Sequence, residues 1–143
     1  MEILQKEFNL SSRPKGFHLI TKEILNEIPE IIEFKSGIAN IFIKHTSASL
    51  TINENADPDV RTDMKSYMDK LVPENLPYLI HTMEGADDMP AHIKTSLLGS
   101  SILVPITNGK FNLGTWQGIY LCEHRNHGGK RKFVVTILGN KHQ

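Results

Sequence analysis

The chain has 143 residues, with 16 Lys and Arg against 16 Asp and Glu, seven His and one Cys. That length suits one domain over residues 1–143 with a core that needs no disulfide, and a lone Cys permits no internal one, which points to a reducing, cytoplasmic setting. Zero net charge argues against a general nucleic-acid binder, the polar opening Met1-Glu2-Ile3-Leu4-Gln5-Lys6-Glu7 is no signal peptide, and no apolar run approaches the ~20 residues that span a bilayer.

Residues 2–10 alternate enough for a first strand, and 16–20 read as a second. A short helix over 21–28 follows, with Ile24, Leu25 and Ile28 at helical spacing, and Pro29 interrupts it. Residues 38–45 read as a strand and 47–53 continue extended. Asp57-Pro58 predicts a helix start, a capping carboxylate followed by proline at the first helical position. Val60, Met64, Tyr67 and Leu71 then mark one apolar face, and Pro73 ends the helix. Residues 74–88 read as loop with a short strand at 78–81. A second helix runs from about Pro90 to Gly99 with Ile93 and Leu97 inward. Residues 101–106 form a strand, Asn108-Gly109 a two-residue hairpin, and 113–125 and 133–138 two more strands joined by Asn126-His127-Gly128-Gly129. The expectation is an α+β fold, a two-layer sandwich of mostly antiparallel sheet with a C-terminal meander and a few short helices.

Charge is uneven along this order. Residues 53–92 carry nine acids and three bases, whereas 93–143 carry one acid, Glu123, and seven bases. Carboxylates suit a metal or a proton transfer and bases suit phosphate, although two charged surfaces that attract would show the same asymmetry.

Four segments concentrate polar chemistry. In an extended chain His45, Ser47, Ser49, Thr51 and Asn53 share one face, either a site floor or the solvent side of a sheet. Asp59 and Asp63 lie one helical turn apart. Glu84, Asp87, Asp88 and His92 fall within nine residues just after His81, a density that suits a divalent metal or a His base oriented by an Asp; a helix cap explains one of these acids and not three. The fourth segment ends an apolar strand in Glu123-His124-Arg125, with Cys122 buried and inert behind them. The His127-Gly-Gly-Lys-Arg131 loop that follows is either an anion nest or a plain turn.

Taken together, these segments resemble the YjbQ-like family of small proteins, often labelled secondary thiamine-phosphate synthase. The stretches that carry the likeness are His45-Thr-Ser-Ala-Ser-Leu-Thr-Ile-Asn-Glu-Asn55, Asp57-Pro-x-Val-Arg-x-Asp-Met64, Glu84-Gly-Ala-Asp-Asp-Met-Pro-x-His-Ile-Lys94 and Gly114-Thr-Trp-Gln-Gly-Ile-x-Leu-x-Glu-His-Arg125. The resemblance implies a homotrimer with clefts between subunits. It also implies a transferase that joins a pyrimidine diphosphate to a thiazole phosphate with release of pyrophosphate. On that reading His45, Asp63, Glu123 and His124 are catalytic candidates. Ser47, Asn53, Lys94, Trp116, Gln117 and Arg125 bind substrate, with Trp116 stacked on the pyrimidine. Asp87 and Asp88, with His81 and His92, hold a divalent metal, Mg²⁺ or a transition ion such as Zn²⁺. Convergence of His81, His92 and His124 would favour zinc and make hydrolysis of a small phosphorylated metabolite the rival reaction; a non-catalytic metabolite- or metal-binding trimer is the third reading.

Overall fold

Period-two alternation carries most of the chain into strands, each with one face turned inward. The computed structural model describes residues 1–143. Its elements are β1 (Glu2–Leu10), β2 (Gly16–Leu19), α1 (Thr21–Glu27), β3 (Phe34–Ile43), β4 (Ala48–Glu54), α2 (Pro58–Leu71), α3 (Asp88–Leu98), β5 (Ser101–Thr107), β6 (Lys110–Phe111), β7 (Gln117–Glu123) and β8 (Arg131–Lys141). The class is α+β. One antiparallel sheet has the order β1-β8-β3-β5-β6 and a second the order β2-β7-β4.

The two sheets face each other across an apolar core. Ala39, Ile41 and Ile43 of β3, Phe133, Val135 and Ile137 of β8, and Val104 and Ile106 of β5 meet Ala48 and Leu50 of β4 and Ile119 and Leu121 of β7. Ile24 and Ile28, within and just after α1, join the same core. The opposite face of the smaller sheet bears Phe17, Tyr120 and Cys122, which pack on Met64 and Met68 of α2 and Leu98 of α3. The layers are therefore large sheet, small sheet, helices. The outer face of the large sheet is exposed along the cross-strand row Ile3–Leu138–Ile38–Pro105. No helix is long and apolar enough to cross a membrane.

Several elements differ from the sequence expectation, each for a packing reason. The last third is not a meander: β7 crosses to the smaller sheet, and β8 returns to lie between β1 and β3. Pro29 opens a 3₁₀ turn over Pro29–Glu33 that buries Ile31, so β3 begins at Phe34. Residues 78–81 form no strand. Asp57 caps α2 by accepting the Asp59 N–H, and the buried stripe then runs through Met64 to Met68, leaving Tyr67 and Leu71 exposed. In α3 the inward residues are Asp88, Ala91, Lys94 and Thr95, while Leu97 faces solvent. Alongside Pro90 and Ala91, the buried Asp88 and Lys94 find charged partners beneath the helix in Arg125 and Asp69. The Asn108-Gly109 hairpin forms as expected, both residues having positive φ (49° and 76°).

Candidate metal centre

The polar inward face of α3 builds the densest constellation of the fold. Asp88 and His92 lie one turn apart, and the loop before the helix brings His81 back over them. His81 Nε2 lies 2.7 Å and His92 Nε2 3.0 Å from the same Asp88 Oδ2. One ligand atom from each of the three residues falls within 4.8 Å of the others. The His92 ring is also held from behind, because Nδ1 lies 2.8 Å from the Thr46 carbonyl oxygen. That carbonyl can only accept, so Nδ1 carries a proton, and in the neutral ring Nε2 then presents a lone pair. This lone pair faces a carboxylate oxygen, and two acceptors at 3.0 Å need a proton or a cation between them. A backbone carbonyl that orients an imidazole in this way is the usual outer partner of a metal-bound histidine.

Asp88 is buried, and its second oxygen, Oδ1, accepts from Arg125 Nη1 at 2.6 Å. Burial raises its carboxyl; the contacts to His81, His92 and Arg125 outweigh that, and the pKa stays below its ordinary value. Each of the three guanidinium nitrogens of Arg125 donates one hydrogen bond. Nε donates to Asp87 Oδ2 at 3.0 Å and Nη2 to the Glu84 carbonyl at 2.9 Å. The Asn126 N–H also donates to Asp87 Oδ2. Asp87 therefore clamps Arg125, and Asp88 alone of the acidic pair joins the histidines. Adjacent helical residues point about 100° apart, which separates the two roles.

The polar face that leads through Ser47 into β4 is closed at its near end and open to water at Asn53. Ser47 and Ser49 are buried, and Ser49 Oγ lies 2.8 Å from His124 Nε2. His124 thus stands apart from the two histidines at Asp88. Burial first, then the positive charges of Lys94 and Arg131, push its pKa down to about 3. An unfolded histidine titrates near ~6.5, so between those values the unfolded chain binds the extra proton. The stability that neutral His124 contributes is complete above about pH 6.5 and is lost as pH falls toward 3. In His124→Asn, the slope of unfolding free energy against pH between 6.5 and 4 is expected to flatten by up to about 1.4 kcal/mol per pH unit. Denaturant titrations across that range check this, and an unchanged slope contradicts it.

The remaining candidates have other surroundings. Glu123 is 1% exposed and forms a buried ion pair with Arg131, whose Nε donates to Glu123 Oε1 at 2.8 Å. The backbone of Gly128 lies on this pair, and a Cβ there would sit 2.5 Å from both carboxylate oxygens. The glycine loop thus closes over the ion pair. Lys94 is 2% exposed and donates to Asp69 Oδ1 at 2.7 Å, with Lys15 and Lys65 on the same carboxylate. Asp63 is exposed on α2. Asn53, Trp116 and Gln117 sit at the far end of the β4–β7 pair, where Asn53 faces Gly118, whereas Glu123 faces Ala48 at the near end. Trp116 is 65% exposed.

His45 lies near the centre. It accepts the Lys132 N–H on Nε2 at 2.7 Å, and burial, with Arg131 next in weight, lowers its pKa. It borders an open cleft of about 550 Å³ shared with His92, Thr46, Thr95, Ser96 and Ser100. Sequence reasoning missed the Thr46 carbonyl and the hydroxyls of this cleft. A carbonyl carries no side-chain signal, and Ser and Thr at a helix C-terminus read as surface.

The sequence profile described as UPF0047 protein YjbQ-like matches residues 6–140. The UPF0047 protein YjbQ of Salmonella typhimurium is 52% identical over 135 residues, which is 94% of this chain and 97% of that protein. A crystal structure of a yjbq/upf0047 family protein from Clostridium acetobutylicum shares 41% identity and superposes with a TM-score of 0.81, covering 93% of this chain and 99% of that one. A YbjQ-like protein of unknown function from Sulfolobus solfataricus, at 23% identity, shares the fold with a TM-score of 0.84 over 97% and 99% of the two chains.

Proposed function

This chain belongs to the YjbQ-like UPF0047 family, and from that premise we propose that it is a divalent-metal enzyme whose His81–Asp88–His92 centre hydrolyses a small phosphorylated metabolite. The observation that carries the reading is the pair of imidazole nitrogens on one carboxylate oxygen, with the His92 tautomer set by the Thr46 carbonyl. Mg²⁺ takes oxygen donors in octahedral sites. Two imidazoles and one carboxylate suit zinc or another first-row transition ion, with positions left for water and substrate. Such an ion lowers the pKa of a bound water. In the reaction, water adds to phosphorus, the ester P–O bond breaks, and the departing alcohol takes a proton. His45 borders the same cleft as His92, and the Lys132 contact leaves its Nδ1 as the proton-bearing nitrogen of the neutral ring.

The thiamine-phosphate synthase-like transferase is the second reading, favoured by the exposed indole of Trp116, a surface on which a pyrimidine can stack. It needs Trp116, Gln117 and Asn53 at the cleft, and within one chain they lie at the far end of β7. A homotrimer would supply them from a neighbouring copy. The exposed apolar row on the large sheet, with Leu103 and Phe42 beside it, is the face we assign to that association, which light scattering reads directly; a monomer mass removes it. A cytoplasmic setting accords with Cys122, a lone buried thiol whose pKa burial raises to about 12.

The test is metal analysis of the purified, tag-free protein and of His92→Ala, followed by phosphate release from a panel of phosphorylated metabolites. The expected result is one zinc or similar ion per chain in the parent and none in the variant. A parent that takes up no transition metal at micromolar concentration overturns the reading.

A further inference from the structure

The lining of the cleft beside His92 points to a class of substrate. Small-molecule clefts are commonly lined by apolar and aromatic side chains with a few polar groups. This one is lined by no aliphatic or carbocyclic side chain: its walls include His45, Thr46, His92, Thr95, Ser96 and Ser100, whose polar groups are hydroxyls and imidazoles. No carboxylate or ammonium borders it either, so what it recognises is neutral and rich in hydrogen-bonding groups. It also lies where α3 ends, at Leu98 and Gly99. A helix C-terminus carries partial negative charge, which disfavours a phosphate there and leaves that group to the His81–Asp88–His92 side.

Two details sharpen this. The hydroxyl of Thr95 is buried without a hydrogen-bond partner, in a residue that is 7% exposed. A helical threonine commonly bonds the carbonyl one turn back, and Thr95 does not. Its side chain has a second rotamer within reach in a helix, so a ligand hydroxyl in the cleft can recruit it. His45, with Nε2 taken by the Lys132 N–H, offers an N–H donor on its other nitrogen.

We infer that this cleft receives the hydroxylated carbon skeleton of a sugar phosphate or polyol phosphate, the phosphate itself lying at the His81–Asp88–His92 centre. The inference rests on the metal reading above and narrows it, because the hydroxyls and imidazoles of this cleft would find no hydrogen-bonding partner on an aromatic or alkyl alcohol.

Calorimetry on the full-length protein loaded with zinc tests the inference, using ribose 5-phosphate, glycerol 3-phosphate, phenyl phosphate and inorganic phosphate as probes. The two hydroxylated esters are expected to bind about tenfold or more tighter than the other two, the equivalent of one or two neutral hydrogen bonds. The double variant Thr95→Val, Ser100→Ala is expected to reduce that preference to about threefold or less while zinc stoichiometry stays unchanged and Tm does not fall. Equal binding of all four probes overturns the inference, as does a double variant that keeps the preference. Failure of the metal reading shows separately, as zinc uptake absent from the parent. Ribose and glycerol, offered to the metal-free protein, then report on the cleft alone: saturable binding that the double variant loses supports it, and its absence overturns it.

Discussion

Glu123→Ala is expected to lower the unfolding free energy by about 3–5 kcal/mol, because it leaves the Arg131 guanidinium charged and buried without its partner. Both residues are almost wholly removed from water. Arg131 Nη2 also donates to the Ser47 carbonyl, and Glu123 Oε2 accepts the Arg125 N–H. The pair therefore ties the β7–β8 loop to the polar end of β4. Against a total stability of about 5–15 kcal/mol, the loss corresponds to a fall in Tm of roughly 10 °C or more. Calorimetric melting with matched denaturant curves measures it. The companion Glu123→Leu, Arg131→Met is expected to recover most of the loss, since a well-packed apolar pair often replaces a buried ion pair at little cost. A loss below about 1 kcal/mol in the single variant would mean that water reaches the pair.

Asp88→Ala is expected to remove the metal centre. Outer partners of a metal site are worth about 10–100-fold in affinity, so loss of the carboxylate ligand should cost more than about 100-fold, and Asp87→Asn should fall inside that outer-partner range. Asp88 also accepts a hydrogen bond from the cationic Arg125. The alanine variant should therefore lose about 1.5–3 kcal/mol of stability even without metal. Competition titration with a chromophoric chelator separates the two effects. Zinc affinity within tenfold of the parent in Asp88→Ala would place the ion elsewhere.

The parts of the fold that depend on local chemistry were legible in the sequence. The cap at Asp57-Pro58, the Asn108-Gly109 hairpin and the stop at Gly99 each follow from what a few adjacent residues can adopt. Sheet order was not legible, because β7 and β8 alternate in the same way and nothing local says that they belong to different sheets. Helix facing was half legible. In α2 the apolar spacing points to Tyr67 and Leu71, which are exposed, while the buried stripe runs through Met68; in α3 it points to Leu97, which is exposed, while Asp88, Lys94 and Thr95 are buried. The density of acids and histidines over 81–92 marked the region of the candidate centre. The division between Asp87 and Asp88 is a matter of helical angle, and the support from Thr46 is a matter of long-range backbone approach. The polar ends of β4 and β7 looked like reactive groups at a sheet edge. Ser49, Glu123 and His124 are instead partners for one another's neighbourhood, enclosed beneath α3 and the Gly128 loop.

The position of β8 bears on how this chain comes to be folded. β8 is the last strand in sequence, yet it lies between β1 and β3 and pairs with both along most of its length, Glu2 meeting Gly139. During synthesis β1 and β3 have no common neighbour until residues 131–141 have left the ribosome. The large sheet is therefore closed by contacts between residues 2–10 and 131–141, and contacts of such long sequence separation make for slow folding. In the interval the free edges of β1 and β3 can pair with other chains.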